Sequence, residues 1–196
     1  AYRGSAFVSN MRVNGDAAHR PVFKTYEVVL TRRATGRWGL LGSASATKNH
    51  RYLTVVPSSP NDDYFNVDDT WDWQAKITGN YEFPLKVTLS GSLQAYSPVK
   101  GQRTNLFRNI PSLSTATIRM EPFGETQGSA RTLLNLRFSR TFAVRTTGRL
   151  KVGFDLMNAL NGASPWMQSY ASGPTFANIL QIDSPRIARG SLTFSF

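Results

Sequence analysis

The chain has two histidines, His19 and His50. His50 with Asp62 or Asp63 would make an acid–base pair. Both histidines fall in expected loops, however, and loop polarity accounts for the same residues. A nucleophilic serine would need a base and an orienting partner, and no spacing singles one out. With no glycine-rich phosphate loop either, the chain reads as a non-enzyme. Asp62, Asp63, Asp68, Asp69 and Asp72 crowd one short stretch. Oxygen-rich loops can hold calcium, but EF-hand spacing is missing, and a solvated acidic loop is the preferred reading; no cofactor or metal is expected. Loop aromatics at Tyr52, Tyr64, Phe65, Trp166 and Tyr170 are suited to clamping a ligand, and equally to packing the loops together. A second set, Gln74, Gln94, Arg137, Asp155 and Arg189, is polar and sits within strongly alternating stretches.

Those side chains need elements to position them, and the elements are strands. From Trp71 to Phe83, Trp71, Trp73, Ala75, Ile77, Gly79, Tyr81 and Phe83 share one face, with Asp72, Gln74, Lys76, Thr78, Asn80 and Glu82 opposite. This is unbroken period-two patterning. Trp71 to Tyr81 covers roughly 33 Å at about 3.3 Å per residue. Tilted by about 40°, it rises roughly 25 Å, the height of the apolar band on a membrane-spanning barrel. Aromatics Trp71, Trp73, Tyr81 and Phe83 stand at both ends, where an interfacial girdle belongs, and small apolar residues fill the middle. The last stretch behaves alike: Ala188, Gly190, Leu192, Phe194 and Phe196 oppose Arg189, Ser191, Thr193 and Ser195.

In all, about seven to eight strands are expected, near 5–13, 25–33, 37–47, 71–83, 85–96, 132–142, 148–158 and 187–196. Short turns join residues 33 to 37, 83 to 85 and 142 to 149. Long loops lie at 48–70, 97–131 and 159–186, with a short strand expected near Thr115–Met120. Alternating short turns and long loops are the outer-membrane pattern. The expected fold is all-β: one antiparallel transmembrane β-barrel region spanning 1–196, or part of a larger barrel. On this reading Gln74, Gln94, Arg137, Asp155 and Arg189 face the lumen.

Composition sets the outer bounds. The chain of 196 residues carries a net charge of +11, from 23 basic and 12 acidic residues, and no cysteine. Such charge suits nucleic acid, but the basic residues are scattered or at turns, and no helix carries a basic stripe. No nucleic-acid partner is expected. Arginines at strand ends suit an anionic membrane surface, including lipid and lipopolysaccharide. Without cysteine there is no disulfide framework, and no apolar run is long enough for a transmembrane helix. The start at Ala1-Tyr2-Arg3-Gly4 reads as a mature or cut product.

Three stretches carry a family likeness. They are Tyr26-Glu27-Val28-Val29-Leu30-Thr31-Arg32-Arg33 with Gly36-Arg37-Trp38-Gly39-Leu40; Leu134 to Phe142 with Val152-Gly153-Phe154-Asp155-Leu156-Met157-Asn158-Ala159-Leu160-Asn161; and Ser184-Pro185-Arg186-Ile187-Ala188-Arg189 leading to Phe196. With these the chain resembles the C-terminal barrel region of a TonB-dependent outer-membrane transporter, the large type of environmental bacteria. The resemblance implies the last strands of a roughly 22-stranded barrel in the outer membrane of a Gram-negative bacterium. It also implies a plug domain that is not in this chain, a TonB partner, and import of a nutrient such as a siderophore, metal chelate or oligosaccharide. Phe194 and Phe196 are similar to the terminal signal read by the barrel-assembly machinery. A small porin-like or adhesin-like barrel is the first alternative, and a soluble ligand-binding β-barrel the second.

Overall fold

The computed structural model describes residues 20–34, 36–54, 60–110, 113–144 and 148–196. The expected strand at 5–13, and His19, lie outside the described residues. In chain order the strands are β1 (Val22–Arg32), β2 (Trp38–Tyr52), β3 (Val67–Asp68), β4 (Trp71–Phe83), β5 (Val87–Tyr96), β6 (Lys100–Gly101), β7 (Thr104–Ile110), β8 (Leu113–Arg119), β9 (Thr126–Gln127), β10 (Arg131–Val144), β11 (Gly148–Met157), β12 (Pro165–Gln168), β13 (Ile179–Ile182) and β14 (Ile187–Ser195). The protein is all-β, with no α-helix among the described residues.

The long strands form one antiparallel sheet in the order β1-β2-β4-β5-β10-β11-β14, with β3 added at the end of β2. Each long strand pairs with the next long strand in sequence: short turns force this for β1–β2, β4–β5 and β10–β11, whereas β2–β4, β5–β10 and β11–β14 are neighbours across the long loops. At the β4–β5 turn, Leu85 and Lys86 both take left-handed backbone angles, with φ of 68° and 56°. That handedness matches the twist of the flanking strands. It also explains why β5 begins at Val87 rather than at residue 85. β1 and β14 do not pair with each other, so among the described residues the sheet is open.

The alternation stays in phase across every pairing. One row runs Arg32, Leu40, Gly79, Gly91, Leu136, Leu156 and Ala188 from β1 to β14. The neighbouring row on the opposite face runs Gly39, Asn80, Ser90, Arg137, Asp155 and Arg189. A slip of one residue at any pairing would mix the faces. The sheet therefore has one apolar and one polar side. On the apolar side, Tyr26 stacks on Trp71 at the loop end, their ring centroids 6.2 Å apart. At the turn end Tyr81 meets Phe83 at 4.7 Å, Phe194 stacks on Phe196, and the Arg32 guanidinium lies 3.7 Å over the Trp38 ring.

Among the described residues no hydrophobic side chain is buried. Val28 is 70% exposed and Leu192 75%. What is buried is polar: Asn49, Asn66, Asp68, Gln102, Asp155, Asn158 and Asp183. Six inter-strand spacings of about 4.8 Å by a band of about 25 Å give the apolar face a projected area of roughly 700 Å². That exceeds the largest apolar patch of a typical water-soluble monomer, about 300–600 Å². Nothing else in the described chain covers it.

Candidate functional site

The three long loops gather at one end of the sheet; the second and third fold into small hairpins, and the first adds β3 to the end of β2. β7 pairs with β8, β6 with β9, and β12 with β13. The strand expected near Thr115–Met120 is β8. Hydrogen bonds lock the loops to one another. Arg119 donates to the Asp62 carbonyl at 2.7 Å, and Gln102 donates to the carbonyls of Phe65 and Glu121 at 3.2 and 2.9 Å. Backbone bonds join Thr104 to Tyr170 and Gly128 to Val99. At the neck of the first loop, Asn66 accepts from Thr54 N–H at 2.7 Å and donates to Thr54 C=O at 2.9 Å. These bonds satisfy groups that would otherwise be buried unpaired.

Beneath this cap, against the polar face of β2, β4 and β5, lies a pocket of about 490 Å³. Gln74 and Tyr96 form its floor, Trp166 and Phe123 contribute loop walls, and Arg51, Lys100 and Arg131 reach its rim. Each cation has a carboxylate. Arg51 meets Asp68 at 2.9 Å, Lys100 meets Asp72 at 2.6 Å, and Arg131 meets Asp183 at 2.6 Å. Arg131 also stands 4.6 Å over the Trp166 ring and 5.9 Å from the Tyr96 ring, so it ties the aromatic wall to the floor.

Lower on the polar face, Asp155 is buried between two guanidiniums, with Arg189 at 2.8 Å and Arg137 at 3.4 Å. Its two partners lie directly across from it on β14 and β10. They line a shallower depression of about 370 Å³ with Ser90, Ser92 and Asn135.

Of the loop aromatics singled out in the sequence, Trp166 alone lines the larger pocket. Tyr170 instead packs over Gly101, where a Cβ would collide with its ring, and its hydroxyl donates to the Val99 carbonyl at 3.0 Å. Burial pushes its phenol pKa up. Tyr64 and Phe65 pack on each other at 4.3 Å, and Tyr52 meets the edge of His50. Gln74, Gln94, Arg137, Asp155 and Arg189 share the polar face, and Gln94 accepts a bond from the Tyr96 hydroxyl at 2.7 Å.

The acidic stretch is not gathered around a common centre. Asp68 bonds Arg51 and the Thr70 hydroxyl, Asp69 meets Lys48 at 3.0 Å, and Asp72 accepts from Asn49 at 2.6 Å. No group of acids and histidines able to hold a metal exists among the described residues. His50 lies 3.6 Å from Asp69, a different carboxylate from the Asp62 or Asp63 the sequence offered. Sequence reasoning missed Tyr96, Lys100, Arg131 and Asp183. Arg131 and Asp183 are far apart in the chain and carry no motif; the only signal was an aromatic or basic residue at a strand mouth.

No family model, no curated protein and no solved structure matches the chain.

Proposed function

We propose that the chain is the barrel part of a TonB-dependent outer-membrane transporter that imports a nutrient. The observation that carries this reading is the uncovered apolar face, bounded at both ends by aromatic side chains. In lipid such a face is satisfied, and Trp71, Trp73, Tyr81 and Phe83 become interfacial girdles. The loop cap and its pocket then face outward, and Arg32, Arg140 and Lys86 at the turn end meet headgroups or periplasm. Among the described residues the outer edges of β1 and β14 have no strand partner, which favours continuation into a larger closed barrel over a small one, since an open edge in lipid leaves backbone groups unpaired. A plug domain would sit against the Arg137–Asp155–Arg189 face, and TonB would act through that plug. Phe196, 99% exposed, would be available to the barrel-assembly machinery. The transport step and the partners rest on the sequence resemblance.

The chain has no cysteine, which makes a direct test simple. Single substitutions Ile77→Cys and Thr78→Cys place a thiol on either face of β4 in the outer membrane. A lipid-dissolved maleimide should label position 77, and a water-soluble one position 78. Equal labelling of both by the water-soluble reagent would remove the membrane reading and point to a soluble β-protein.

A further inference from the structure

We infer that the 490 Å³ pocket under the loop cap takes an uncharged, hydroxyl-rich ligand, namely a neutral oligosaccharide. The inference deepens the transporter reading and rests on it for the direction from which ligand arrives. Its basis is the charge balance of the walls. Arg51, Lys100 and Arg131 are each already held by Asp68, Asp72 and Asp183 at 2.6–2.9 Å. Asp68 and Asp183 are buried. At Arg51 or Arg131 an anionic metal chelate would have to displace a buried carboxylate from its cation, which is strongly unfavourable.

Neutral groups are available instead. Gln74 presents an amide that both donates and accepts, and Ser45 and Thr47 add hydroxyls from the neighbouring strand. Trp166 and Tyr96 supply flat apolar surfaces on which the C–H faces of a sugar ring can lie. The volume is within the usual range for a small-molecule site. The lower depression contrasts with it: there one carboxylate serves two guanidiniums, so an anion would prefer Arg137 and Arg189.

The test uses the full-length protein, purified from outer membranes in detergent, and titration calorimetry. The probes are neutral hexasaccharides of glucose, xylose and mannose, an anionic hexagalacturonate, and a ferric tricatecholate. At least one neutral hexasaccharide should bind saturably. Trp166→Ala and, separately, Gln74→Ala should weaken it tenfold or more, while Arg137→Ala leaves it unchanged. Variants are compared by heat-modifiable gel mobility, so a misassembled protein is recognised and Gln74→Ala decides. Binding of the chelate or the hexagalacturonate alone would overturn the inference. So would sugar binding indifferent to both pocket substitutions, or binding of none of the probes. A protein that passes the thiol-labelling test yet binds no neutral sugar loses this inference and keeps the membrane reading.

Discussion

Placing an arginine at Ile77 separates the lipid-facing reading from every water-soluble one. Ile77 lies on the apolar face, opposite Gly42 on β2 and Leu93 on β5. Trp73 and Tyr81 mark the two aromatic ends of its strand. Four residues on either side place it about 13 Å along the strand from each, or roughly 10 Å in height once a tilt of about 40° is included. An arginine side chain is too short to bring its guanidinium fully to either interface from there. In lipid, Ile77→Arg should cost about 2–4 kcal/mol, the penalty for a cation near the bilayer midplane. That is roughly a 30- to 700-fold loss in the folding equilibrium. Thr78→Arg, one residue on, points to the polar face beside Leu41 and Ser92, and should stay within about 0.5 kcal/mol. Urea titration of the protein folded into phospholipid vesicles, followed by tryptophan fluorescence, reads both. In water, Ile77 is already 46% exposed, and the two substitutions should then be equally mild. Equal midpoints for Ile77→Arg and Thr78→Arg would refute the lipid-facing reasoning.

Other perturbations probe separate parts of the structure. Phe196→Asp should leave the sheet intact, since Phe196 is exposed and stacks only at 6.0 Å on Phe194, yet lower the amount assembled in the outer membrane several-fold by immunoblot; normal assembly would count against the terminal-signal reading. Asp155→Ala strands two arginines on the polar face, and should destabilise β11 and β14 by about 1–3 kcal/mol in the same urea assay, discounted because both guanidiniums are about half exposed. Arg137→Ala should cost less, because Arg189 still pairs the carboxylate. Gly128→Ala would drive a Cβ into the Trp166 carbonyl, which is backbone and cannot swing aside; proteolysis within residues 97–130 should speed up while strand content is unchanged by circular dichroism. The hydrogen bond from Lys48 holds the Asp69 carboxyl below its ordinary value of 3.8, with His50 adding a smaller pull. Its contribution is therefore present above about pH 4 and lost as pH falls through the depressed value. Amide exchange near Asp69 should rise in that acid window, and Asp69→Asn should abolish the pH response.

Much of the sheet was legible because its physics is local. A strand exposes alternate residues to alternate sides, so Trp71–Phe83 announced both its length and its two faces. The turns at 33–37 and 83–85 were short enough to force neighbours in sequence to be neighbours in space. Boundaries were less legible. β2 runs on to Tyr52 because Arg51 and Tyr52 pair with Asp68 and Val67 across the loop, a contact that alternation within β2 does not encode. β5 loses Leu85 and Lys86 to the turn, although their apolar–polar order continues the strand pattern. Inside the long loops there is no period to read, and the pairs β6–β9 and β12–β13 were not foreseen.

The candidate site follows the same division. Face and height of Gln74, Gln94, Arg137, Asp155 and Arg189 came from residue order alone, because a side chain's side of a strand is decided by counting. Which charges meet did not. Arg131 with Asp183, Lys100 with Asp72, and Tyr170 over Gly101 bring together residues separated by dozens of positions, through loops whose path is set only by closing on one another. The sequence by itself thus determined a two-faced sheet with aromatic ends. The tertiary structure decided that, among the described residues, the sheet is open along β1 and β14, and that the rim of the loop pocket is charge-balanced. Alternation is a property of each strand's own geometry, whereas pairing across loops depends on distances that exist only once the strands have been laid side by side.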